Sequence, residues 1–146
     1  MSHLKALNDY RVKVELPVAW SDMDMYRHVN NANFFKYFEA ARVRYFDEIG
    51  FSGFYDSQGI TGVLSSASCR FIIPLVYPDW ITVGAKADCL DDDEIQMEHF
   101  ILSKKKGLAA IGESRIVIFD FHKDKKIAIP EFLKKAIAEF ENRGEQ

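Results

Sequence analysis

The stretch NANFFKYFEAARVRYFDEIGF, residues 31–51, constrains the fold more than any other part of the chain. Its apolar residues recur at helical spacing: Phe34, Phe35, Phe38, Ala41 and Tyr45, with Phe46 and Ile49 continuing the series. A helix this apolar must be wrapped on more than one side. Asn30 or Asn31 is suited to cap its start, and Gly50 to end it.

The wrapping has to come from the remaining residues, which read mostly as strand. Residues 11–18, RVKVELPV, alternate, with Val12, Val14, Leu16 and Val18 on one face and Arg11, Lys13 and Glu15 on the other. Pro17 points to an edge position or a strand exit. After a loop containing Gly and Ser at 51–59, strands are expected at 60–73, closed by Pro74, and at 80–90, before the turn-like DDDE. A further strand runs from Glu94 to a hairpin turn at Lys105, Lys106 and Gly107, and the last long strand covers 108–122. KDKK, 123–126, reads as a turn, and Pro130 as the first position of a final helix through 144. Strands joined by hairpins form an antiparallel sheet, which must bury one face. The expectation is α+β, with a curved antiparallel sheet of about five strands packed on one long helix.

A length of 146 residues predicts one domain over 1–146. Hydrophobic residues at 48% and charged residues at 28% exclude a wholly disordered chain. A net charge of -3 disfavours nucleic acid as a partner, because that needs a basic domain or stripe. Twelve Phe suggest bulky packing or a hydrophobic pocket. Cys69 and Cys89 form no CxxC pair, so zinc is not expected and both read as small buried residues. The first twenty residues lack the apolar core of a signal peptide, and no apolar run reaches membrane-span length. The expected compartment is the cytosol, with both thiols reduced.

Polar groups concentrate between Asp22 and Asn31, just before the long helix. The unpaired N–H groups and positive dipole end of that helix face this loop, an arrangement suited to a developing oxyanion. Asp24, seven residues before Asn31, is close enough to place a carboxylate beside it. A carboxylate with an anion hole suits acyl transfer or hydrolysis, with Asp as nucleophile or as base for water. The alternative is that these residues cap the helix and tie down a loop.

The whole string WSDMDMYRHVNNANFFKYFEAAR resembles the hot-dog thioesterases of the 4-hydroxybenzoyl-CoA thioesterase-like superfamily. The family pattern D-x-D-x-x-x-H-V-N-N-x-x-Y-x-x-Y-x-E-x-A-R is matched by Asp22, Asp24, His28, Val29, Asn30, Asn31, Phe34, Tyr37 or Phe38, Glu39, Ala41 and Arg42. The string is also similar to the DxxxHVNN segment of plant acyl-carrier-protein thioesterases. RFIIPLVYPDWITV resembles the family's PLxxGDxLxV segment, and the PEFLKKAI tail also fits. Two positions depart: Arg27 stands where Gly is frequent, and Pro78-Asp79 where the family has Gly-Asp.

The resemblance implies a hot-dog fold and an acyl-CoA or acyl-carrier-protein thioesterase. It also implies a homodimer or homotetramer with sites at the subunit interface, and no metal or redox cofactor. It assigns catalysis to Asp24 and the carbonyl donor to the backbone N–H of Asn31. His28 stands where part of the family keeps His, in a role that varies between chemistry and a loop hydrogen bond. Asp22 reads as a loop organiser, and Glu39 as a partner of Arg42 at i+3. Ser65, Ser66 and Ser68 carry no triad signal, and Ser65 and Ser66 read as a polar wall of the substrate site. Lys104, Lys105, Lys106 and Arg115 read as phosphate contacts for coenzyme A, against the alternative of a solvated turn that blunts an edge. His99 and His122 have no partner legible in the sequence. The competing functions are a hot-dog dehydratase and a non-catalytic acyl-CoA-binding module.

Overall fold

The computed structural model describes residues 7–52 and 57–142. Strand β1 (Val12–Pro17) leads through a 3₁₀ turn (Trp20–Asp22) to helix α1 (Asn31–Glu48). Four long strands follow: β2 (Ile60–Phe71), β3 (Trp80–Cys89), β4 (Glu94–Ser103) and β5 (Gly107–Asp120). A short β6 (Lys125–Ile127) and helix α2 (Glu131–Asn142) complete the order. All pairings are antiparallel, in the order β1-β3-β4-β5-β2, with β6 also on β5. This is the sheet-around-helix arrangement of the hot-dog fold.

Both ends of α1 follow from its sequence. The Asn30 side chain accepts from the Ala32 N–H at 2.9 Å, so Asn30 is the cap. Gly50 follows the helix at φ +79°, a left-handed conformation that costs glycine little. Phe34, Tyr37, Phe38, Ala41 and Tyr45 are buried against the sheet. Phe38 approaches β5 so closely that a Cβ on Gly112 would lie 2.3 Å from its ring. The inner sheet face meets α1 with Val83, Met97, Ile101, Ile116 and Ile118, while Leu7, Tyr10 and Phe100 form a separate cluster. α2 adds Leu133, Ile137 and Phe140 to the core, and Phe140 meets Tyr45 edge to face at 5.2 Å. Its Glu141 accepts from the Tyr45 hydroxyl and from the Ala87 N–H at 3.0 Å. That backbone donor lies past the end of the β1 ladder, which stops at Ala85.

Several expectations need correction. Phe35 is exposed and Tyr37 takes its place in the core, because the buried face turns with the helix. KDKK is not simply a turn: Lys125 and Lys126 pair with β5, and Asp124 makes the reversal at φ +54°. The described sheet therefore has six strands. Helix α2 begins at Glu131, one residue after Pro130. Pro17 is the last residue of edge strand β1, as expected from its missing donor. Residues 53–56 of the 51–59 loop and 143–144 of the final helix lie outside the described residues.

Candidate active site

The loop from Ala19 to Asn30 is tied to α1 by two aspartates with different duties. The Asp22 carboxylate accepts from the Ala19 N–H at 3.0 Å and from the Tyr37 hydroxyl at 2.8 Å. Its backbone carbonyl accepts from Asn33 Nδ2 at 2.8 Å and from the Asn30 N–H at 3.0 Å. Burial and the Asp22 carboxylate together push the Tyr37 phenol well above its usual range, so it remains a donor. Asp22 is thus the loop organiser. Tyr37 and Asn33 complete its cage, and only their i, i+4 spacing on the helix hinted at it.

Asp24 points its carboxylate to the helix start. Oδ2 accepts from Asn30 Nδ2 at 3.0 Å, and Oδ1 from the Tyr26 N–H at 2.9 Å. Asn30 therefore caps α1 with its oxygen and holds Asp24 with its nitrogen. The turn closes through Asp24 N–H to His28 O at 3.1 Å and Arg27 N–H to Asp24 O at 2.9 Å. Arg27 sits at φ +64°, which explains why glycine suits this position.

Not every donor at the helix N-terminus is filled. Asn30 N–H bonds Asp22 O, Ala32 N–H bonds the Asn30 side chain, and Asn33 N–H bonds Asn30 O at 2.9 Å. The Asn31 N–H has no acceptor among the described residues. Asp24, His28, Asn30 and Asn31 border a cleft of about 620 Å³ whose apolar walls are Val29, Phe34 and the segment Phe71–Pro74. Phe34 and Phe71 meet edge to face at 5.0 Å, closing one side of it. A carboxylate, an open backbone donor and an apolar wall thus share one space. His28 holds the turn with its carbonyl and is among the residues that border the cleft.

The substrate-binding residues expected from sequence are not brought to this cleft within one chain. Ser65 marks a bulge in β2 between Leu64 and Ser66, and its Oγ donates to the Arg115 carbonyl at 3.1 Å. Ser66 pairs with Arg115, and both serines are exposed on an edge strand. Arg115 is held by Glu113 at 3.1 Å and Glu94 at 3.5 Å. Lys104 borders a separate hollow with Glu15, Trp80 and Leu102. Lys105 and Lys106 lie in the β4–β5 turn, where the Lys106 N–H donates to Ser103 Oγ at 3.0 Å. That turn rests on the buried carboxylate of Asp79, which accepts from the Ser103 hydroxyl and from the Trp80 N–H at 2.7 Å.

His99 acquires partners that sequence did not show. It is fully buried and stacked on Phe38, with ring centres 5.1 Å apart. Nδ1 lies 3.1 Å from the Gly84 carbonyl, and Nε2 2.9 Å from Ser114 Oγ. A donating Nδ1–H and an accepting Nε2 satisfy both contacts with a neutral ring. Ser114 Oγ accepts from Arg42 Nη1 at 3.2 Å, and Arg42 pairs with Glu39 at 3.8 Å, as its i+3 spacing predicts. Burial lowers the His99 pKa to about 4, against an opposing effect of the Gly84 bond and with a smaller lowering from the Arg42 charge. Burial pushes the Cys69 thiol up to about 11, which makes it a poor nucleophile. Among the described residues, no three His, Cys, Asp or Glu side chains cluster as metal ligands.

Residues 18–137 match the family model described as the thioesterase-like superfamily. Among solved structures, the chain is similar to a thioesterase from Thermus thermophilus complexed with coenzyme A and Zn. Identity is 27%, with 92% of this chain and 97% of that one covered, at a TM-score of 0.81. The PA5185 protein from Pseudomonas aeruginosa strain PAO1 is 26% identical, with 92% and 94% covered and a TM-score of 0.78. The DHNA-CoA thioesterase from Staphylococcus aureus shares the fold at 18% identity, with 92% and 93% covered and a TM-score of 0.80. No curated protein matches the chain.

Proposed function

Because the chain belongs to the thioesterase-like superfamily, we propose that it is a thioester hydrolase that splits acyl-CoA into a carboxylic acid and free thiol at the Asp24 cleft. The observation that carries this reading is the Asp24 carboxylate beside the unfilled Asn31 N–H, both bordering an apolar cleft. The acyl group lies along Phe34 and Phe71, and the thioester oxygen accepts from Asn31 N–H. As the carbonyl carbon is attacked, the negative charge that gathers on its oxygen is stabilised by that donor and by the helix dipole.

Asp24 serves this attack by one of two routes. As nucleophile, it adds to the carbonyl carbon, the thiolate leaves, and water cleaves the resulting anhydride. As base, it takes a proton from the attacking water, and the thiol leaves with a proton. Asn30 Nδ2 and the Tyr26 N–H hold the carboxylate in position for either route. His28 borders the cleft where it can donate a proton to the departing sulfur.

The site is completed by a second copy of the chain in this reading. The support is β2, a twelve-residue strand at the sheet edge, together with exposed Trp20, Met25 and Tyr26 on the loop and Phe71 and Ile72 on the cleft wall. Ser65 and Ser66 lie on that edge and would meet substrate through the partner.

The test is thiol release from acyl-CoAs by the wild type and by Asp24→Asn. The variant should lose about 10²–10⁴-fold in kcat while still binding acyl-CoA. Activity within a few-fold of wild type would remove Asp24 from the mechanism. Binding without turnover by the wild type would favour the acyl-CoA-binding module.

A further inference from the structure

The seam between α1 and the edge strand β2 holds three hollows in a row. α1 and β2 run in opposite directions along it: Phe34 meets Phe71, Phe35 and Phe38 lie near Ala67, and Phe46 lies near Gly62. The Asp24 cleft is the first hollow. The second is narrow, about 150 Å³, and the third, about 380 Å³, has apolar walls that include Val43, Phe46, Phe51 and Ile116. Glu39, Arg42 and Leu64 border both of the latter two. The seam is therefore apolar at both ends and charged between them.

That charged station is anchored. The Arg42 side chain is 14% exposed, and its bond to Ser114 continues through His99 to the Gly84 carbonyl in the core. The guanidinium is thus held in the seam rather than free to swing into solvent. Glu39 stands eight residues beyond Asn31, about 12 Å along the helix axis. The Arg42 side chain leans back toward the helix N-terminus, so its head group sits near the same level.

We propose that the Arg42–Glu39 pair is a ruler that sets the length of the acyl group. The proposal rests on the reading of Asp24 and Asn31 as the thioester end. An alkyl chain starting there and lying in the seam covers about 12 Å with roughly eight to ten carbons. Up to that point each methylene is buried against Phe34, Phe71, Phe38 and Ala67, which favours binding by about three- to fourfold. A longer chain has to strip water from the largely exposed Glu39 carboxylate, beside an already buried guanidinium, and offers no hydrogen bond in return. The substrate class is an uncharged acyl group of medium length, or an aryl group of the same reach.

The experiment measures kcat/KM for straight-chain acyl-CoAs from four to sixteen carbons, each below its micelle concentration. The wild type should gain with length to about eight to ten carbons, then fall at least tenfold by fourteen. Glu39→Met, at a position two-thirds exposed and therefore tolerant of change, should shift the break upward by several carbons. Arg42→Met should do the same, whereas Arg42→Lys should leave the break in place. A profile that rises through sixteen carbons, or a break that neither Met variant moves, overturns the ruler. Dissociation constants of the same series with Asp24→Asn read the break without turnover. Absent hydrolysis therefore counts against the thioesterase reading, while the ruler is judged on binding.

Discussion

His99 makes acid stability calculable. The ring is 0% exposed, with a pKa of about 4 against an ordinary 6.5, so the native state disfavours its protonated form. Between those values the unfolded chain binds more protons here than the folded one, and stability rises with pH. The contribution is complete above about pH 6.5 and is lost as pH falls toward 4. For this one group the loss from pH 7 to pH 5 is about 2 kcal/mol, and it reaches about 3 kcal/mol at pH 4. The structural cause is first the burial of the ring, which leaves a charged imidazole without water, and then the nearby Arg42 charge; a proton on Nε2 would also remove the acceptor of the Ser114 hydroxyl. Urea unfolding at pH 7 and pH 5 should be compared for the wild type and His99→Gln. The variant will be less stable at both values, having lost the stack on Phe38. Its pH dependence should nevertheless be smaller by about 2 kcal/mol, or on the order of 1 M in urea midpoint. Equal pH dependence in the two proteins would refute the reasoning, as would an imidazole of His99 that titrates near pH 6.5 by NMR.

Tyr37→Phe removes the hydroxyl that holds Asp22 and should lower kcat several-fold with little change in melting temperature, because Asp22 keeps the Ala19 N–H; an unchanged kcat would show that the loop needs no such tie. Gly112→Ala should destabilise by about 1–3 kcal/mol, since the new Cβ would overlap the Phe38 ring, and a denaturation midpoint equal to wild type would contradict this. Replacing Lys104, Lys105 and Lys106 with Gln should raise KM for acyl-CoA and spare kcat, with an effect that shrinks as salt rises; a fall in kcat at constant KM would end their assignment to phosphate binding. Light scattering at micromolar concentration should find at least a dimer, and an active monomer would show that one chain completes the site.

The antiparallel sheet, the long helix and its two ends were legible in the residues alone. They depend on short-range physics: alternation along β1, turn signals between the later strands, helical spacing from Phe34 to Tyr45, an Asn that can accept at a cap and a Gly that can turn left-handed. The aspartates before α1 were legible for the same reason, since a loop of seven residues cannot carry Asp24 far from Asn31. What tertiary structure decided is everything that joins residues distant in sequence. It chose β5, not the sequence neighbour β3, as the partner of β2, and so made β2 an edge and opened a seam beside α1. It gave His99 a serine fifteen residues away and, through that serine, an arginine on the opposite layer. It also took Ser66 and Arg115 away from Asp24, although each is chemically suited to a ligand. No local pattern records such pairings, because a buried polar group satisfies its hydrogen bonds with whatever the packed layers place within reach, and that is settled only when the sheet closes on the helix.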